Sequence, residues 1–213
     1  MKAFLAMIIS LVGFVSCGQT QTQPKILLAS KEKASPNEAI ATFSEGCFWH
    51  AEIIFQSLYG VRDAVSGYAG GHTADPDYEA VSSGETGHAE TVQVYYDPSK
   101  ISFETLVDAL FASMDPTSLN RQGNDMGTEY RSIAFYRNEK EKQIIDAAIK
   151  KINDSRKYRN KVVTEVVPFT KFYPAESYHQ EYVYYHTDNP YVANVSIPEY
   201  VKFRSAFKGK FRN

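Results

Sequence analysis

Ala39-Ile40-Ala41-Thr42-Phe43-Ser44-Glu45-Gly46-Cys47-Phe48-Trp49-His50-Ala51-Glu52-Ile53-Ile54-Phe55-Gln56-Ser57-Leu58-Tyr59-Gly60 changes character part-way along. Residues 39–44 read as a strand. From Gly46 onward Phe48, Ala51, Ile54, Phe55 and Leu58 recur at helical spacing until Gly60 stops the pattern, which predicts a helix over 46–59. Cys47 then sits in the first turn of a helix. Working outward, a strand over 61–68 leads into a long glycine-rich loop, and a strand over 89–96 ends at Asp97-Pro98, because proline has no N–H to continue a ladder. Ser102 caps a helix running to residue 114, with Phe103, Leu106, Val107, Leu110 and Phe111 on its apolar face. A strand over 130–136 follows, then a helix over 139–153 opened by Asn138 with Glu141 three residues on, then a strand over 161–167.

The order up to Tyr136 is β-α-β-β-α-β. That order predicts an α/β (α+β) fold of the ferredoxin-like, split-βαβ kind, a two-layer sandwich with an added helix, strand and long C-terminal coil. Residues 183–213 lack clear periodicity, yet their aromatic content predicts a tail packed onto the domain.

The chain has 213 residues, 43% hydrophobic and 23% charged, which is enough for one substantial core and one domain. A net charge of −2 with no dense Lys/Arg cluster excludes a nucleic-acid binder. Fifteen Tyr and thirteen Phe point to phenols in a pocket as well as in a core. At the N-terminus Lys2 precedes an almost wholly apolar run from Ala3 to Val15, too short to span a bilayer, and Ser16-Cys17 follows. Residues 1–17 therefore read as a signal peptide ending at a lipobox-like Cys17, the lipid attachment site, although a plain secretory peptide or an uncleaved anchor is the alternative. Phe14 stands where Leu is usual. Residues 18–37 are polar and read as a flexible tether, and the folded domain occupies 38–213. The expectation is an exported, lipid-anchored monomer of the bacterial cell envelope, facing the periplasm or the cell surface. With Cys17 lipidated, Cys47 is the one free thiol of an exported protein, the mark of a reactive group.

A thiol in the first turn of a helix meets unpaired N–H groups and the helix dipole, which favour the thiolate over its usual pKa of about 8.5. A small buried Cys that only fills space is the bland alternative. Phe48 and Trp49 are either core or an aromatic wall for an apolar methyl group. Glu90 shares strand parity with Val92, Val94 and Tyr96, which aims it at the apolar face, where burial raises a carboxyl pKa; a surface ion pair is the alternative. The five histidines (His50, His72, His88, His179 and His186) fit no metal pattern, so no metal site is expected and all five read as satisfied loop or core residues.

Gly46-Cys47-Phe48-Trp49 resembles the segment around the nucleophile of A-type peptide methionine sulfoxide reductases. Further blocks resemble the same family in the same order: Gly67-Tyr68-Ala69-Gly70-Gly71, Asp75-Pro76-Asp77-Tyr78, Ser83-Gly84-Glu85-Thr86-Gly87-His88-Ala89-Glu90, Arg121-Gln122-Gly123-Asn124-Asp125-Met126-Gly127-Thr128-Glu129-Tyr130-Arg131-Ser132, and Phe172-Tyr173-Pro174-Ala175-Glu176 with Tyr178-His179-Gln180-Glu181-Tyr182. The resemblance implies that Cys47 is the nucleophile, Glu90 the catalytic acid, Tyr78 and Tyr130 the phenols that hold the sulfoxide oxygen, and Asp125 an acid that steadies them. For Asp125 an Asx turn competes. It also implies reduction of methionine S-sulfoxide, peptide-bound and free, through a Cys47 sulfenic acid, for the repair of oxidised proteins and without a bound cofactor. Many relatives carry a resolving cysteine in a Tyr-Cys segment, whereas this chain reads Tyr191-Val192-Ala193-Asn194. An external thiol, from a thioredoxin-like protein or a small molecule, must then recycle the enzyme. A peroxide-reducing thiol enzyme and a tethered non-catalytic binder are the rival classes; the first has no need of the Tyr and Glu set, and the second would tolerate loss of the thiol.

Overall fold

The computed structural model describes residues 33–212. The signal peptide, Cys17 and most of the tether lie outside the described residues, and the domain begins where expected, with Glu38 pairing Arg62 at 2.6 and 3.0 Å. The first strand, β1 (Ala39–Glu45), is central, and Ala41, Thr42, Phe43 and Ser44 are all fully buried. Gly46 turns the chain at φ +99°, in the left-handed region that costs a side chain energy, and a Cβ there would lie 2.7 Å from that of Gln122. The helix α1 (Phe48–Gln56) follows, later and shorter than the spacing predicts. Cys47 is its N-cap residue, its carbonyl accepting from the His50 and Ala51 amides at 3.2 Å.

Strands β2 (Val61–Ala69) and β3 (Ala89–Tyr96) form an antiparallel pair. Between them a short helix, α2 (Tyr78–Ser82), capped by Asp77, occupies the glycine-rich stretch where a loop was expected. The helix α3 (Phe103–Ser113) starts at its Ser102 cap, and Phe103 stacks near Phe43, which in turn lies 5.4 Å from Phe55. Two short strands, β4 (Arg121–Gln122) and β5 (Asp125–Met126), make a separate hairpin. Then come β6 (Ser132–Tyr136), α4 (Glu139–Ser155), β7 (Glu165–Pro168) and β8 (Phe172–Pro174). Asn138 and Glu141 form the predicted capping box, each side chain accepting a backbone N–H of the other segment.

The six-stranded sheet runs β7-β6-β1-β3-β2-β8. Its middle four strands are antiparallel, in the order the split-βαβ reading requires, and β7 adds parallel to β6. Burying Phe43, Phe48, Phe55, Leu106 and Leu110, each at most 1% exposed, contributes about 1.5–3 kcal/mol per side chain to holding the helices on the sheet.

The C-terminal segment wraps the domain as expected, but coil is the wrong description of much of it. It holds a short helix α5 (Tyr182–Tyr185) and a π-helical turn Val192–Ser196 that runs into α6 (Ile197–Ala206). Tyr200 and Phe203 of α6 are buried, and Phe207 stacks on Phe203 at 5.0 Å.

Candidate active site

Cys47, Phe48, Trp49, Tyr78, Glu90, Asp125, Tyr130, Asn189 and Tyr191 line one cleft of about 350 Å³. Every catalytic or substrate-wall residue expected from the sequence within the described part of the chain is therefore in the same place. Cys47 is 9% exposed and Glu90 3%, so sulfur and carboxyl are both sheltered yet both face a space that a small group can enter.

Each side chain is delivered by a different element. Glu90 stands at the start of β3 opposite Tyr68 of β2, and its Oε2 accepts the Phe48 amide at 2.9 Å. One orphan N–H at the head of α1 is thus spent on the acid. Burial dominates, however, and with Asp125 and Glu129 nearby it pushes the Glu90 carboxyl up to about 8 despite that amide. Tyr78 opens α2, held by its own amide donating to Glu176 Oε1 at 2.9 Å, and the other oxygen of Glu176 accepts from the Tyr68 phenol at 2.9 Å. Tyr130 arrives at the end of a single 3₁₀ turn, Thr128–Tyr130. Burial, and then the charge of Glu90, push both phenols above their ordinary range, so they are neutral hydrogen-bond donors.

The expected thiolate is not what the resting site holds. Burial first, and the Glu90 carboxyl second, push the Cys47 thiol well up, outweighing the Trp49 amide and the Tyr191 phenol that favour the anion. The helix terminus is too weak a field to offset loss of water around the sulfur. Tyr191 also donates to Asp125 Oδ2 at 2.5 Å, so one phenol stands between that acid and the sulfur. Asp125 sits in the β4–β5 hairpin, and its partner there is Tyr191 across the cleft.

The aromatic wall is built as well as present. The Phe48 ring lies 6.3 Å from Trp49 and 6.5 Å from Tyr78, and Trp49 stacks on Tyr182 at 3.8 Å with planes 8° apart. Trp49 Nε1 donates to His179 Nδ1 at 3.1 Å, which fixes the indole. This corrects the reading of the histidines. His88 is satisfied, accepting the Gly71 amide at 3.1 Å and donating to Thr73 O at 2.8 Å, but His179 and His50 each keep a buried Nε2 with no hydrogen-bond partner, that of His179 lying 3.9 Å from Glu176 Oε2. Tyr191, Asn189 and His179 belong to the site and were not singled out from the sequence as site residues. The signal was at hand, since Tyr191 lies beside the position of the absent resolving cysteine, and His179 lies in one of the matched blocks.

With this geometry in view, the family pattern described as peptide methionine sulfoxide reductase matches residues 39–211, spanning the whole described domain. The chain belongs to the peptide methionine sulfoxide reductase family. It is 46% identical over 176 residues to the peptide methionine sulfoxide reductase MsrA of Picrophilus torridus, covering 83% of this chain and 99% of that one. It is 48% identical over 163 residues to the MsrA of Nautilia profundicola, with 76% and 92% covered. Among solved structures it resembles methionine sulfoxide reductase A of Corynebacterium diphtheriae, with a TM-score of 0.64 at 33% identity over 71% of this chain and 76% of that one. It also resembles reduced Mxr1 of Saccharomyces cerevisiae, with a TM-score of 0.66 at 31% identity over 75% and 92% of the two chains. A thiol and a carboxyl that burial pushes up to about 8 line the same cleft.

Proposed function

We propose that this protein reduces the S epimer of methionine sulfoxide, in peptides and as the free amino acid, by attack of the Cys47 sulfur on the sulfoxide sulfur. The observation that carries the reading is a buried acid, still protonated at neutral pH, sharing one small cleft with a thiol and two phenols. Glu90 gives its proton to the sulfoxide oxygen, Tyr78 and Tyr130 donate hydrogen bonds as negative charge gathers there, and the thiol proton of Cys47 replaces the one Glu90 gave. The attack forms an S–S bond to the substrate sulfur; the protonated oxygen then passes from that sulfur to Cys47 as the substrate's S–O bond and the new S–S bond break, and methionine leaves behind a sulfenic acid. Phe48 and Trp49 pack the methyl group, while Asp125 acts through Tyr191 to set the sulfur's position. One fixed set of oxygen donors suits one epimer.

Cys47 is the only cysteine in the described residues, so an external thiol completes the cycle. It attacks the sulfenic sulfur, releases water, and leaves a mixed disulfide that a second thiol opens. A thioredoxin-like protein or a small thiol supplies it. The N-terminal sequence supports placement in the bacterial cell envelope: a monomer exported by residues 1–17, lipid-anchored through Cys17 with residues 18–37 as tether, facing the periplasm or the cell surface and repairing oxidised proteins there.

With dithiothreitol as reductant, the S epimer should be consumed and the R epimer left intact. Without reductant, one methionine should form per chain and Cys47 should become reactive to dimedone. Equal turnover of the two epimers, or no sulfenic adduct, refutes the mechanism. For the anchor, labelled palmitate should enter the full-length chain in bacteria and be absent from Cys17→Ala; equal labelling of both removes the anchor.

A further inference from the structure

A second cleft, about 690 Å³, lies across the β4–β5 hairpin from the first: Gln122 and Gly123 line it, while Asp125 of the same hairpin lines the catalytic one. Nothing in the sulfoxide chemistry uses it. Two of its lining residues come from the nucleophile's own segment, Glu45 at the end of β1 and His50 in α1, and both are more than nine-tenths buried.

Each carries a buried atom without a partner, Glu45 Oε1 and His50 Nε2. Their protonation states follow from the partners of their other atoms. His50 Nδ1 faces Glu199 Oε2 at 3.1 Å, so Nδ1 bears the hydrogen and Nε2 presents a lone pair; burial keeps the ring neutral, with its pKa lowered to about 4. The Ser113 hydroxyl meets both Glu45 Oε2 and Leu110 O, the latter at 2.8 Å, but has one proton to give. Both contacts are hydrogen bonds when the Glu45 carboxyl is protonated on Oε2, consistent with burial pushing it up to about 8. Oε1 is then a bare carbonyl acceptor. Two orphan acceptors beside the Glu199 carboxylate call for a cation with several N–H donors, since a buried acceptor left unpaired loses the hydrogen bonds it would make in water. Among the described residues no group of three His, Cys, Asp or Glu side chains is arranged to hold a metal ion.

Much of the remaining lining is charged or apolar: Arg121, Lys157 and Lys202 bring positive charge, Asp115 negative charge, and Met114 and Phe203 apolar surface. A simple amine would satisfy the acceptors but leave the three cations in excess of the Asp115 and Glu199 carboxylates. We propose that this cleft binds a small zwitterion, an apolar α-amino acid, with its ammonium on Glu45 and His50, its carboxylate toward Lys202, and its side chain against Met114 and Phe203. The site is separate from sulfoxide reduction and does not rest on it.

The test uses the intact reduced protein with L-leucine as probe, followed by calorimetry for affinity and by the Gln122 side-chain amide resonance for location. Saturable binding that shifts Gln122 is expected. N-acetyl-L-leucine, which lacks the ammonium, and isopentylamine, which lacks the carboxylate, should each bind about tenfold or more weakly, the scale of one charge-assisted hydrogen bond. His50→Leu should weaken leucine binding by a similar factor. Lys202→Ala, on the exposed part of α6, should weaken it while leaving methionine sulfoxide turnover unchanged. No saturable binding by the wild-type protein, equal binding of N-acetyl-leucine or isopentylamine, or a leucine affinity that neither variant alters overturns the proposal.

Discussion

Cys47→Ser is expected to abolish turnover of methionine sulfoxide, a loss of roughly 10⁴-fold or more, the scale seen when a covalent enzyme loses its nucleophile. The reason is specific to this cleft. A serine hydroxyl in the same buried position is a far weaker nucleophile than a thiol, and the intermediate it would need joins oxygen to oxygen. The fold should persist, because serine is nearly the shape of cysteine and can keep the contact to Tyr191. Methionine release from the S epimer, measured beside an unfolding curve, separates loss of chemistry from loss of structure. A folded variant within tenfold of wild type would end the sulfenic acid mechanism.

Glu90→Gln should make the protein slower and more stable at once. Loss of the proton donor is expected to cost about 10²- to 10⁴-fold in the first half-reaction, the range of general acid catalysis. The wild-type rate of that step should fall above about pH 8, where the carboxyl loses the proton it must give. The stability effect follows from the same shift. Between about pH 4.5 and 8 the folded chain holds a proton on Glu90 that the unfolded chain has released, so stability falls as pH rises through that window. Glu45 and Glu52, each pushed up to about 8 by burial, act in the same direction. His50 acts oppositely, because it is kept neutral with a pKa of about 4; its contribution is complete above its ordinary 6.5 and is lost as pH falls from 6.5 toward 4. From about pH 6.5 to 8 the three carboxyls therefore set the slope, and the melting temperature should drop across it. Glu90→Gln should raise the melting temperature at pH 7.5 by several degrees and flatten that slope, given about 2–4 °C per kcal/mol for a chain of this size. An enzyme at full speed with an unchanged melting curve would show that Glu90 is neither the acid nor a strained carboxyl.

Much of this was legible because the signals are local. The change of period at Gly46, the Ser102 and Asn138 caps, and the parity of Glu90 with Val92 and Val94 each depend on a handful of neighbouring residues, and each holds in the structure. What escaped is non-local. The apolar residues of α6 that reach the core, Tyr200 and Phe203, form a pattern too short to read before the rest of the domain supplies a surface to pack on. The state of the Cys47 thiol escaped for the same cause: a helix terminus is visible in sequence, whereas the burial that overrides it comes from residues far along the chain. Tyr191 reaches Cys47 and Asp125 only because the tail folds back over α1, and no spacing in the chain announces that contact.

The placement of Val192 limits how this enzyme could ever become self-sufficient in electrons. Its neighbour Tyr191 touches the catalytic sulfur, but Val192 itself is wholly enclosed, at the start of the π-helical turn that leads into α6. A thiol introduced there by Val192→Cys would start enclosed among packed side chains, in a segment held by the packing of Tyr200 and Phe203 that follows it. On the proposed cycle, Val192→Cys alone is expected to leave methionine sulfoxide turnover dependent on added reductant, and turnover without it would show that the tail opens readily.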